Sequence, residues 1–393
     1  MEKPQYFLCI LLYKKKNRAL MTTKHFNSTM ASQDQLCPKH SNNDDQDFLF
    51  AFQLVNASVL PMAMRAAINL NVFEIINKAG EGAHLSSSQI ASHFPSHCAL
   101  TPNRLDRLLR LLASYSVLTC SVSNHKDNDT HVERLYGLTK ASKYFVKDRD
   151  GSSLAPYLIY AQDKVSLDSW YCLDEAILDG GVSFDKVHGM DVYQLFGGDP
   201  RFSKLFNRAM ASHTTIVMKK IVEKYGGFEG VNVLVDVGGG IGTNIDIIVS
   251  KYPSIKGINF DLPRVIQTAP PYPGVEHVGG DMFASVPKGN AIFMKWILHN
   301  WSDDCCLKLL KNCYEALQDG GKVIVVEGVI PVVPEVDIAS EIVHQMDLIM
   351  MNRLSGGKER TLEEFEALAK GSGFAGVRLG CCVCSYWVME FYK

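Results

Sequence analysis

The stretch LVDVGGGIGTNIDII, residues 234–248, decides the fold class of this 393-residue chain. An apolar segment runs into Asp236, four glycines follow within five residues, and apolar residues then recur at helical spacing. This order is typical of a β-strand that turns tightly into an α-helix, and the start of such a helix favours a small charged ligand. The stretch therefore predicts a binding site at the carboxyl end of a strand.

Strand-like and helix-like segments alternate from residue 229 to the C-terminus. The strand-like segments read VNVLVDV, KGINFDL, VEHVGGDM, AIFMKWIL and KVIVVEG, and helical patterns such as DDCCLKLLKNCYEAL lie between them. Such alternation predicts an α/β fold with a doubly wound, mostly parallel sheet of the Rossmann-like kind. The final segment, SYWVMEFY, has no helix after it, so we expect it to be an antiparallel strand added at the sheet edge.

A different pattern fills residues 47–150. Apolar residues first recur at helical spacing, SSSQIASHF and TPNRLDRLLRLLASYSVL follow as further helices, and LTCSVS and RLYGLT flank the polar loop NHKDNDTHVE as a hairpin would. Three helices and a hairpin are a winged-helix pattern. Its last helix either forms a dimer face or reads DNA through Arg104, Arg107 and Arg110. We favour a homodimer, because Asp106 interrupts the basic run and the leucine stripe is dense.

The charge balance gives no global attraction to nucleic acid or to an acidic membrane surface, since the net charge is −2 and the isoelectric point is about 6.6. No apolar run reaches the length of a membrane-spanning helix. Eleven cysteines, an odd number spread along the chain, favour reduced thiols and a cytoplasmic protein. We expect no metal site, because no second Cys/His pair at metal-binding spacing accompanies Cys381, Cys382 and Cys384.

These patterns divide the chain into three parts. Residues 1–46 form a disordered polar tail or a misassigned start, with Met21 and Met30 as alternative initiators. Within that part, the apolar YFLCILLY is too short to span a membrane, and its basic residues follow rather than precede it. Residues 47–150 form the winged-helix dimerisation domain. Residues 151–393 begin with a mostly helical segment and continue into the sheet of the catalytic domain.

The glycine spacing distinguishes between two kinds of ligand. Gly238, Gly240 and Gly242 give G-x-G-x-G, which misses the dinucleotide pattern by one residue. Asp261 and Asp281 end the next two strands, on the edge where such folds bind ligands, and no lysine is placed for phosphates. This set suits a nucleoside with a cationic centre, such as S-adenosylmethionine, better than a polyphosphate. For any one of these acids, an ordinary strand-end carboxylate remains the alternative.

Three side chains at the same edge can carry chemistry. His299 follows the fourth strand, Glu327 ends the fifth, and Glu359 lies in the loop GGKERT. A neutral imidazole can take a proton near pH 7, and a carboxylate can hold its tautomer and stabilise the imidazolium. A phenol, with a free pKa of about 10, is a nucleophile that needs this help. The three residues are therefore candidates for a general base and its supporting acids.

In these motifs the chain resembles plant small-molecule O-methyltransferases of the caffeic-acid type, from about residue 47 onward. The resemblance rests on LVDVGGGIG, KYPSIKGINFDLPRVI, YPGVEHVGGDMF, FMKWILHNWSDD, LLKNCYEAL and GGKERT, in that order. It implies methyl transfer from S-adenosylmethionine to a phenolic hydroxyl, and a dimerisation domain that closes the partner's pocket. His299 would be the base, flanked by Glu327 and Glu359. The cofactor would be bound by Gly238, Asp261, Asp281, Met282 and Lys295.

Several positions depart from that family's pattern. Asn300 replaces an Asp that follows the base, Tyr160-Ala161 replaces Met-Asn, Leu354 replaces Asn, and Phe196 replaces a common His. The pocket has thus lost polar groups and gained apolar bulk, which predicts a bulkier, less polar phenol than caffeate. The predicted ring-shaped slot is lined by Tyr160, Phe202, Phe206, Met210, His213, Trp296, Met346, Ile349 and Met350.

Other functions remain open at this point. The ending CCVCSYWVMEFYK is similar to that of relatives that methylate an aromatic amine, anthranilate. An amine needs no base of the same strength, so it would tolerate loss of a flanking carboxylate, whereas the presence of Glu327 favours an oxygen nucleophile. A nicotinamide-dependent oxidoreductase on the same type of sheet and a winged-helix DNA-binding protein are further alternatives.

Overall fold

The structure is a computed structural model that describes residues 43–96, 98–123 and 133–393. Most of the predicted N-terminal tail, with both alternative initiators, and nearly all of the predicted hairpin loop lie outside the described residues. The end of the predicted tail is helical instead, since helix α1, Asn43–Val55, begins before residue 47. Acids such as Asp45 near a helix start favour helix formation there. The chain divides into two units between Ala57 and Ser58, and the second unit contains all the elements described next.

Short helices and a small sheet form the first part of this larger unit. The helices are α2 (Val59–Asn69), α3 (Val72–Lys78), α4 (Ser87–Ala91) and α5 (Thr101–Ser114). The strands are β1 (His84–Ser86), β2 (Leu118–Ser123) and β3 (Glu133–Leu138), which pair antiparallel in the order β1-β3-β2. Helices and a hairpin thus occur where the winged-helix pattern predicts them, and β1 is an additional strand.

Local residue choices explain how these helices begin and end. Asn71 has a φ of 56°, in the left-handed region, and separates α2 from α3 within the first helical pattern. Helix α4 begins with a capping box, in which the Ser86 hydroxyl accepts a hydrogen bond from the Gln89 N–H. The leucine stripe of α5 is buried within this unit, at Leu105, Leu109 and Leu112. The stripe therefore serves the chain's own core and is not a free dimer face.

Asp106 on α5 has a structural role that its sequence position does not reveal. Its carboxylate accepts a hydrogen bond from the Tyr136 hydroxyl at 2.6 Å and pairs with Arg134 at 3.3 Å and with Arg110 at 3.1 Å. Tyr136 and Arg134 belong to β3. The acid therefore joins the last helix to the hairpin, in addition to interrupting the basic run.

Helices dominate the next segment, as the sequence predicts. They are α6 (Ala155–Ala161), α7 (Lys164–Asp168), α8 (Leu173–Asp179), α9 (Ser183–His188), α10 (Val192–Gly198) and α11 (Pro200–Lys224), with a 3₁₀ turn at Ser169–Cys172. Gly180, with a φ of 74°, ends α8 in the left-handed conformation that glycine favours. Asp199 caps the long helix α11 by accepting from the Phe202 N–H at 3.0 Å.

The remaining residues form a seven-stranded sheet in the order β6-β5-β4-β7-β8-β10-β9. Its strands are β4 (Val233–Val237), β5 (Lys256–Asp261), β6 (Val275–Gly279), β7 (Gly289–Lys295), β8 (Leu317–Gly328), β9 (Gly376–Val383) and β10 (Tyr386–Tyr392). The pairs among β4 to β8 are parallel. The prediction of a doubly wound, mostly parallel sheet is therefore confirmed.

The prediction that the final strand lies at the sheet edge is wrong. Strand β10 is antiparallel, as expected, but it pairs with β8 on one side and β9 on the other, so β9 forms the edge. The two strands form a hairpin with a two-residue turn, Cys384-Ser385, in which both residues have positive φ. Strand β10 has sheet neighbours on both sides and most of its residues are buried, and its sequence is apolar except for Glu390.

Helices α12 (Thr243–Lys251), α13 (Pro263–Ile266), α14 (Asp303–Ala316), α15 (Ile338–Arg353) and α16 (Leu362–Gly371) connect these strands. Apolar clusters cover both faces of the sheet, and four successive β8 residues from Val323 to Val326 are fully buried. Strands buried on both faces read as continuous apolar runs, as KVIVVEG does. The carboxyl ends of β4, β5, β7 and β8 therefore lie side by side on one edge of a rigid platform.

Within the described residues, no single helix has the length and apolar character needed to cross a membrane. Only α1 and α2, counted together as a broken pair, meet those two requirements.

Candidate active site

The segment that follows β7 presents His299 at the carboxyl edge of the sheet. Trp296 has a φ of 60°, an unusual left-handed conformation for a bulky residue, and it turns the chain sharply out of the strand. A 3₁₀ turn, Leu298–Asn300, then follows. His299 is buried, and its Nδ1 atom lies 2.7 Å from Glu359 Oε1 and 3.7 Å from Glu327 Oε2. The three predicted catalytic residues are thus brought together.

Glu327 holds the backbone of this turn. Its Oε1 atom accepts hydrogen bonds from the N–H groups of Ile297 and Leu298, at 2.8 and 2.9 Å, while its other oxygen faces His299. The side chain is fully buried at the end of β8. A fully buried acid with one oxygen that accepts two backbone N–H groups is a fixed structural part of the site as well as a charge beside the imidazole.

Glu359 is placed by a loop that is tied to the same turn. The Lys358 N–H donates to the His299 carbonyl at 2.9 Å, and the Glu359 N–H donates to Asp347 Oδ1 at 2.8 Å. Arg360, also fully buried, donates to the Leu298 carbonyl at 2.8 Å. The loop GGKERT is therefore anchored on both sides of Glu359, so the carboxylate that meets the imidazole cannot move freely.

The electrostatics of this cluster favour a basic imidazole. Burial opposes the charged form of His299, but the carboxylates of Glu327 and Glu359 outweigh it and raise the pKa of His299 above its usual value. Burial raises the pKa of Glu327, against the opposing influence of His299. With Nδ1–H directed at Glu359, the lone pair of the imidazole is on Nε2, which can accept a proton. His299, Glu327 and Glu359 each offer one possible metal-ligand atom, and these atoms lie within 4.8 Å of one another. The atoms from His299 and Glu359, Nδ1 and Oε1, are already joined by a hydrogen bond.

The glycine turn lies directly against the His299 segment. Gly238, Gly240 and Gly242 all have positive φ, and a Cβ atom on Gly238 would lie 2.4 Å from Ile297 Cδ1. Gly240 differs, because a Cβ atom there would meet nothing within 4 Å. Its N–H donates to Asp261 Oδ2 at 2.8 Å. Strand end, glycine turn and histidine segment therefore form one continuous edge with open space above Gly240.

The other predicted cofactor residues have different environments. Asp281 lies two residues beyond the end of β6, is exposed, and accepts from the Phe283 N–H at 2.9 Å. The Met282 carbonyl accepts from the Asn312 side chain at 2.9 Å. Lys295 is buried at the end of β7, where its Nζ atom lies 3.2 Å from Thr214 Oγ1.

Two buried ionisable groups at this edge titrate far from their usual range. Burial lowers the pKa of Lys295 to about 8, although Glu327 and Asp236 act in the opposite direction. Burial raises the pKa of Asp236, within β4, to about 8. Such perturbed groups at a sheet edge are typical of functional sites.

An aromatic layer lies beside the imidazole. The Trp296 and His213 rings stack with centroids 4.2 Å apart, and Trp296 also stacks on His299 at 5.9 Å. Tyr157 packs at 5.6 Å from His213, and Tyr386 packs at 5.2 Å from Trp296. Burial and the charge of Lys295 hold the pKa of His213 well below its usual value, so its ring is neutral. Tyr157 and Tyr386 were not predicted, since no local pattern distinguishes them from core tyrosines.

The second group of predicted slot residues forms one aromatic cluster. Tyr160 packs at 5.3 Å from Phe202 and at 5.5 Å from Phe206, and Phe196 stacks on Phe206 at 4.4 Å. Met210 packs against the same cluster. Phe202 and Tyr160 are buried, and the ring stacking in this cluster shows that several of these side chains pack mainly against one another.

Helix α15 contributes the remaining predicted slot residues. Met346 lines a small cavity together with Glu359 and Tyr386. Ile349 is half-buried and Met350 is buried on the same helix. Asn300, one of the departures from the family's pattern, donates its side-chain amide to the Trp296 carbonyl at 2.9 Å. It thus stabilises the turn that carries His299.

Two family models match the chain. The O-methyltransferase domain matches residues 170–375, and the O-methyltransferase dimerisation domain matches residues 52–148. Caffeic acid 3-O-methyltransferase 1 of Populus tremuloides is 57% identical over 351 residues, covering 89% of this chain and 96% of the relative. Caffeic acid 3-O-methyltransferase of Clarkia breweri is 56% identical over 369 residues, covering 93% of this chain and 99% of the relative.

The fold is similar to that of human N-acetylserotonin methyltransferase in complex with SAM, with a TM-score of 0.75 at 20% identity over 90% of this chain and 99% of that one. The fold is that of a Rossmann-like methyltransferase with an N-terminal helical dimerisation domain. The chain belongs to the O-methyltransferase family, as the motifs predict. These matches give no support to an aromatic-amine methyltransferase or to a DNA-binding protein.

Proposed function

We propose that this chain transfers a methyl group from S-adenosylmethionine to a hydroxyl of a planar aromatic compound of the phenylpropanoid, flavonoid, coumarin or a related phenolic class. The observation that carries the proposal is the 2.7 Å contact between His299 Nδ1 and Glu359 Oε1, made beside the glycine turn. The names of the two relatives, which refer to 3-O-methylation of caffeic acid, support the phenolic class.

The predicted cofactor residues fit a nucleoside with a cationic centre. The Asp261 carboxylate is held by the N–H groups of Gly240 and Leu262, at 2.8 and 2.7 Å, so its position at the strand end is fixed. The space above Gly240 leaves room for a ligand. S-adenosylmethionine supplies an electrophilic methyl group on a cationic sulfur. It would be held by Gly238, Asp261, Asp281, Met282 and Lys295, and we propose no metal.

His299 acts as the general base in this proposal. Its Nε2 atom takes the proton of the phenolic hydroxyl, and Glu359 keeps the opposite Nδ1–H oriented and stabilises the imidazolium that forms. Glu327 raises the pKa of His299 and fixes the turn through Ile297 and Leu298. Trp296 and His213 offer flat apolar surfaces for the aromatic ring beside the base. Positioning of the oxygen close to the methyl carbon then accounts for much of the rate.

The proposal extends to the assembly and to the division of the chain. Residues 47–150 would form a homodimer, because apolar side chains remain exposed there and a dimerisation domain matches this part. These exposed side chains include Phe48, Phe50, Phe52, Val59, Met62, Leu70 and Leu100. Residues 151–393 would be the catalytic domain. We further propose a cytoplasmic location, in keeping with the reduced thiols of the described cysteines.

Two assays test the proposal together. Calorimetry should detect binding of S-adenosylhomocysteine and none of NAD(P). Radiolabelled S-adenosylmethionine should transfer its methyl group to the hydroxyls of a panel of phenylpropanoids, flavonoids and coumarins, with anthranilate as the amine control. Binding of NAD(P) alone would overturn the cofactor assignment, and a best rate with anthranilate would overturn the assignment of oxygen as the nucleophile.

A further inference from the structure

Arg353, the last residue of α15, is a half-buried cation with no acid beside it. Its guanidinium donates to the Tyr160 hydroxyl at 2.7 Å and lies 4.9 Å from the centroid of the Tyr160 ring. Both contacts are with a neutral partner, since burial raises the pKa of Tyr160. In the part of the chain that the structure describes, Arg353 has no carboxylate at ion-pair distance, and its Nε atom is buried without a hydrogen-bond partner.

Several other partly buried cations in the same unit pair with an acid, whereas Lys295, a predicted cofactor residue, and Arg65 have no acid at ion-pair distance among the described residues. Arg360 pairs with Asp303 at 2.8 Å, Lys322 with Glu390 at 2.6 Å, and Arg134 with Asp106 at 3.3 Å. A cation removed from water without a counter-charge costs free energy, and buried charges in proteins are therefore normally paired. The environment of Arg353 thus indicates that its counter-charge comes from a molecule that the chain binds.

The position of Arg353 relative to the base follows from helix α6. Tyr157 packs on His213, which stacks on Trp296 beside His299. Tyr160 lies three residues further along α6, about one helical turn or 5 Å, and contacts Arg353. Burial raises the pKa of Tyr157, and the positive charge of Arg353 acts against this rise. An aromatic molecule with its hydroxyl at His299 can therefore extend along α6 towards Arg353.

We infer that Arg353 is a specificity-determining residue that binds an anionic group, a carboxylate, at the end of the phenolic substrate opposite the reacting hydroxyl. The inference rests on the proposed function and narrows its substrate class to phenols that carry a carboxylate. The inference also corrects the expectation of a pocket that is only less polar than the family's. Polar family residues are replaced at Tyr160, Ala161, Phe196 and Leu354, but the charged Arg353 lies directly before Leu354. A guanidinium and a carboxylate form two parallel hydrogen bonds, which gives both affinity and orientation.

The test compares 3,4-dihydroxycinnamate with its methyl ester, which has the same ring and hydroxyls but no charge. The wild-type protein should methylate the acid with a kcat/KM about 10- to 100-fold above that of the ester, as expected for a hydrogen-bonded charge pair. In Arg353→Met, kcat/KM for the acid should fall by about the same 10- to 100-fold, while kcat/KM for the ester should change by no more than about threefold. Arg353→Lys should keep part of the preference. Calorimetry with each phenol in the presence of S-adenosylhomocysteine should give the same ranking.

Two controls separate this role from a structural one. Arg378→Met removes an exposed arginine that pairs with Glu390 on the opposite edge of the sheet, and it should leave the acid-to-ester ratio unchanged. Equal loss on acid and ester in Arg353→Met, with unchanged melting temperature, would assign Arg353 to packing and overturn the inference. A wild-type preference for the ester would overturn it while leaving the proposed function intact. Failure of the wild type on every phenol tested would overturn both.

Discussion

At the scale of single residues, two carboxylates beside one imidazole have different tasks. Glu359 makes the 2.7 Å contact with His299, whereas Glu327 divides its oxygens between two backbone N–H groups and a longer 3.7 Å approach. The charge of each raises the pKa of His299, but only Glu359 is in position to hold the tautomer. Substitution of the two should therefore have different effects on rate and similar effects on the pH profile.

Glu359→Gln should lower the plateau of kcat/KM for a phenol by about tenfold or more, because the imidazole loses its oriented acceptor. A base must be neutral to act, so kcat/KM rises as pH rises through the pKa of His299. Since the Glu359 charge raises that pKa, its removal should move the rising limb to lower pH. Values of kcat/KM measured between pH 5 and 9 give both the plateau and the pH at which the limb rises.

Glu327→Gln should shift the limb in the same direction with a smaller loss of plateau rate, because the amide oxygen can still accept the two backbone N–H groups. Glu363→Gln, at an exposed position on α16, is the matched control and should change neither quantity. An unmoved limb in both buried variants would mean that His299 is not the group that titrates.

At the scale of elements, the glycine turn and the histidine segment are in direct contact. Gly238→Ala should destabilise the protein by about 0.5–1.5 kcal/mol more than Gly240→Ala, the cost of moving the Ile297 side chain from its preferred rotamer. Both substitutions strain a positive φ, but only the first adds a Cβ atom 2.4 Å from Ile297 Cδ1. Chemical unfolding of the ligand-free variants measures the difference.

Removing the Ile297 side chain should remove the difference in stability between Gly238→Ala and Gly240→Ala. In the Ile297→Ala background, the two glycine variants should be destabilised to a similar extent, because the side chain that Gly238→Ala strikes is gone. If the excess cost of Gly238→Ala persists in that background, the turn is constrained by the backbone alone and the contact has no energetic role.

The sequence predicted the strands correctly where a strand's burial in the sheet also produces an apolar run in the sequence. Most residues of β4, β5, β7 and β8 are buried, so the apolar runs of these strands are visible in the sequence. The position of β10 could not be obtained in this way, because apolar runs do not record which strand is the neighbour. The break between α2 and α3 depends on the left-handed Asn71, and asparagine gives only a weak local signal for that conformation.

The same distinction holds for the site. His299, Glu327 and the glycine turn follow strands whose ends share one edge, so their proximity is predictable from topology. Glu359 is a candidate acid from its position in the loop GGKERT, and the resemblance also places it beside the base. The structure holds it there by a contact with His299, 60 residues away in the sequence. Tyr157, Tyr386 and Arg353 reach the site through helix packing and the final hairpin, which local patterns do not encode.

At the scale of the whole molecule, the buried leucine stripe of α5 cannot form the dimer interface, yet other apolar side chains of the N-terminal part remain exposed. We therefore expect a homodimer held by these side chains. Light scattering at micromolar concentration should give twice the chain mass of 43.7 kDa. A stable monomer with full methyl-transfer activity would contradict the expectation.

We propose that His299, held by buried carboxylates next to the cofactor edge, removes the proton from a phenol. The most direct measurement is the kcat of His299→Ala with the best phenol of the panel, made together with the S-adenosylhomocysteine affinity of the same variant. General-base help is worth about two to four orders of magnitude, so kcat should fall by that factor while the affinity stays within about threefold. A kcat within threefold of the wild type at unchanged affinity would contradict the claim.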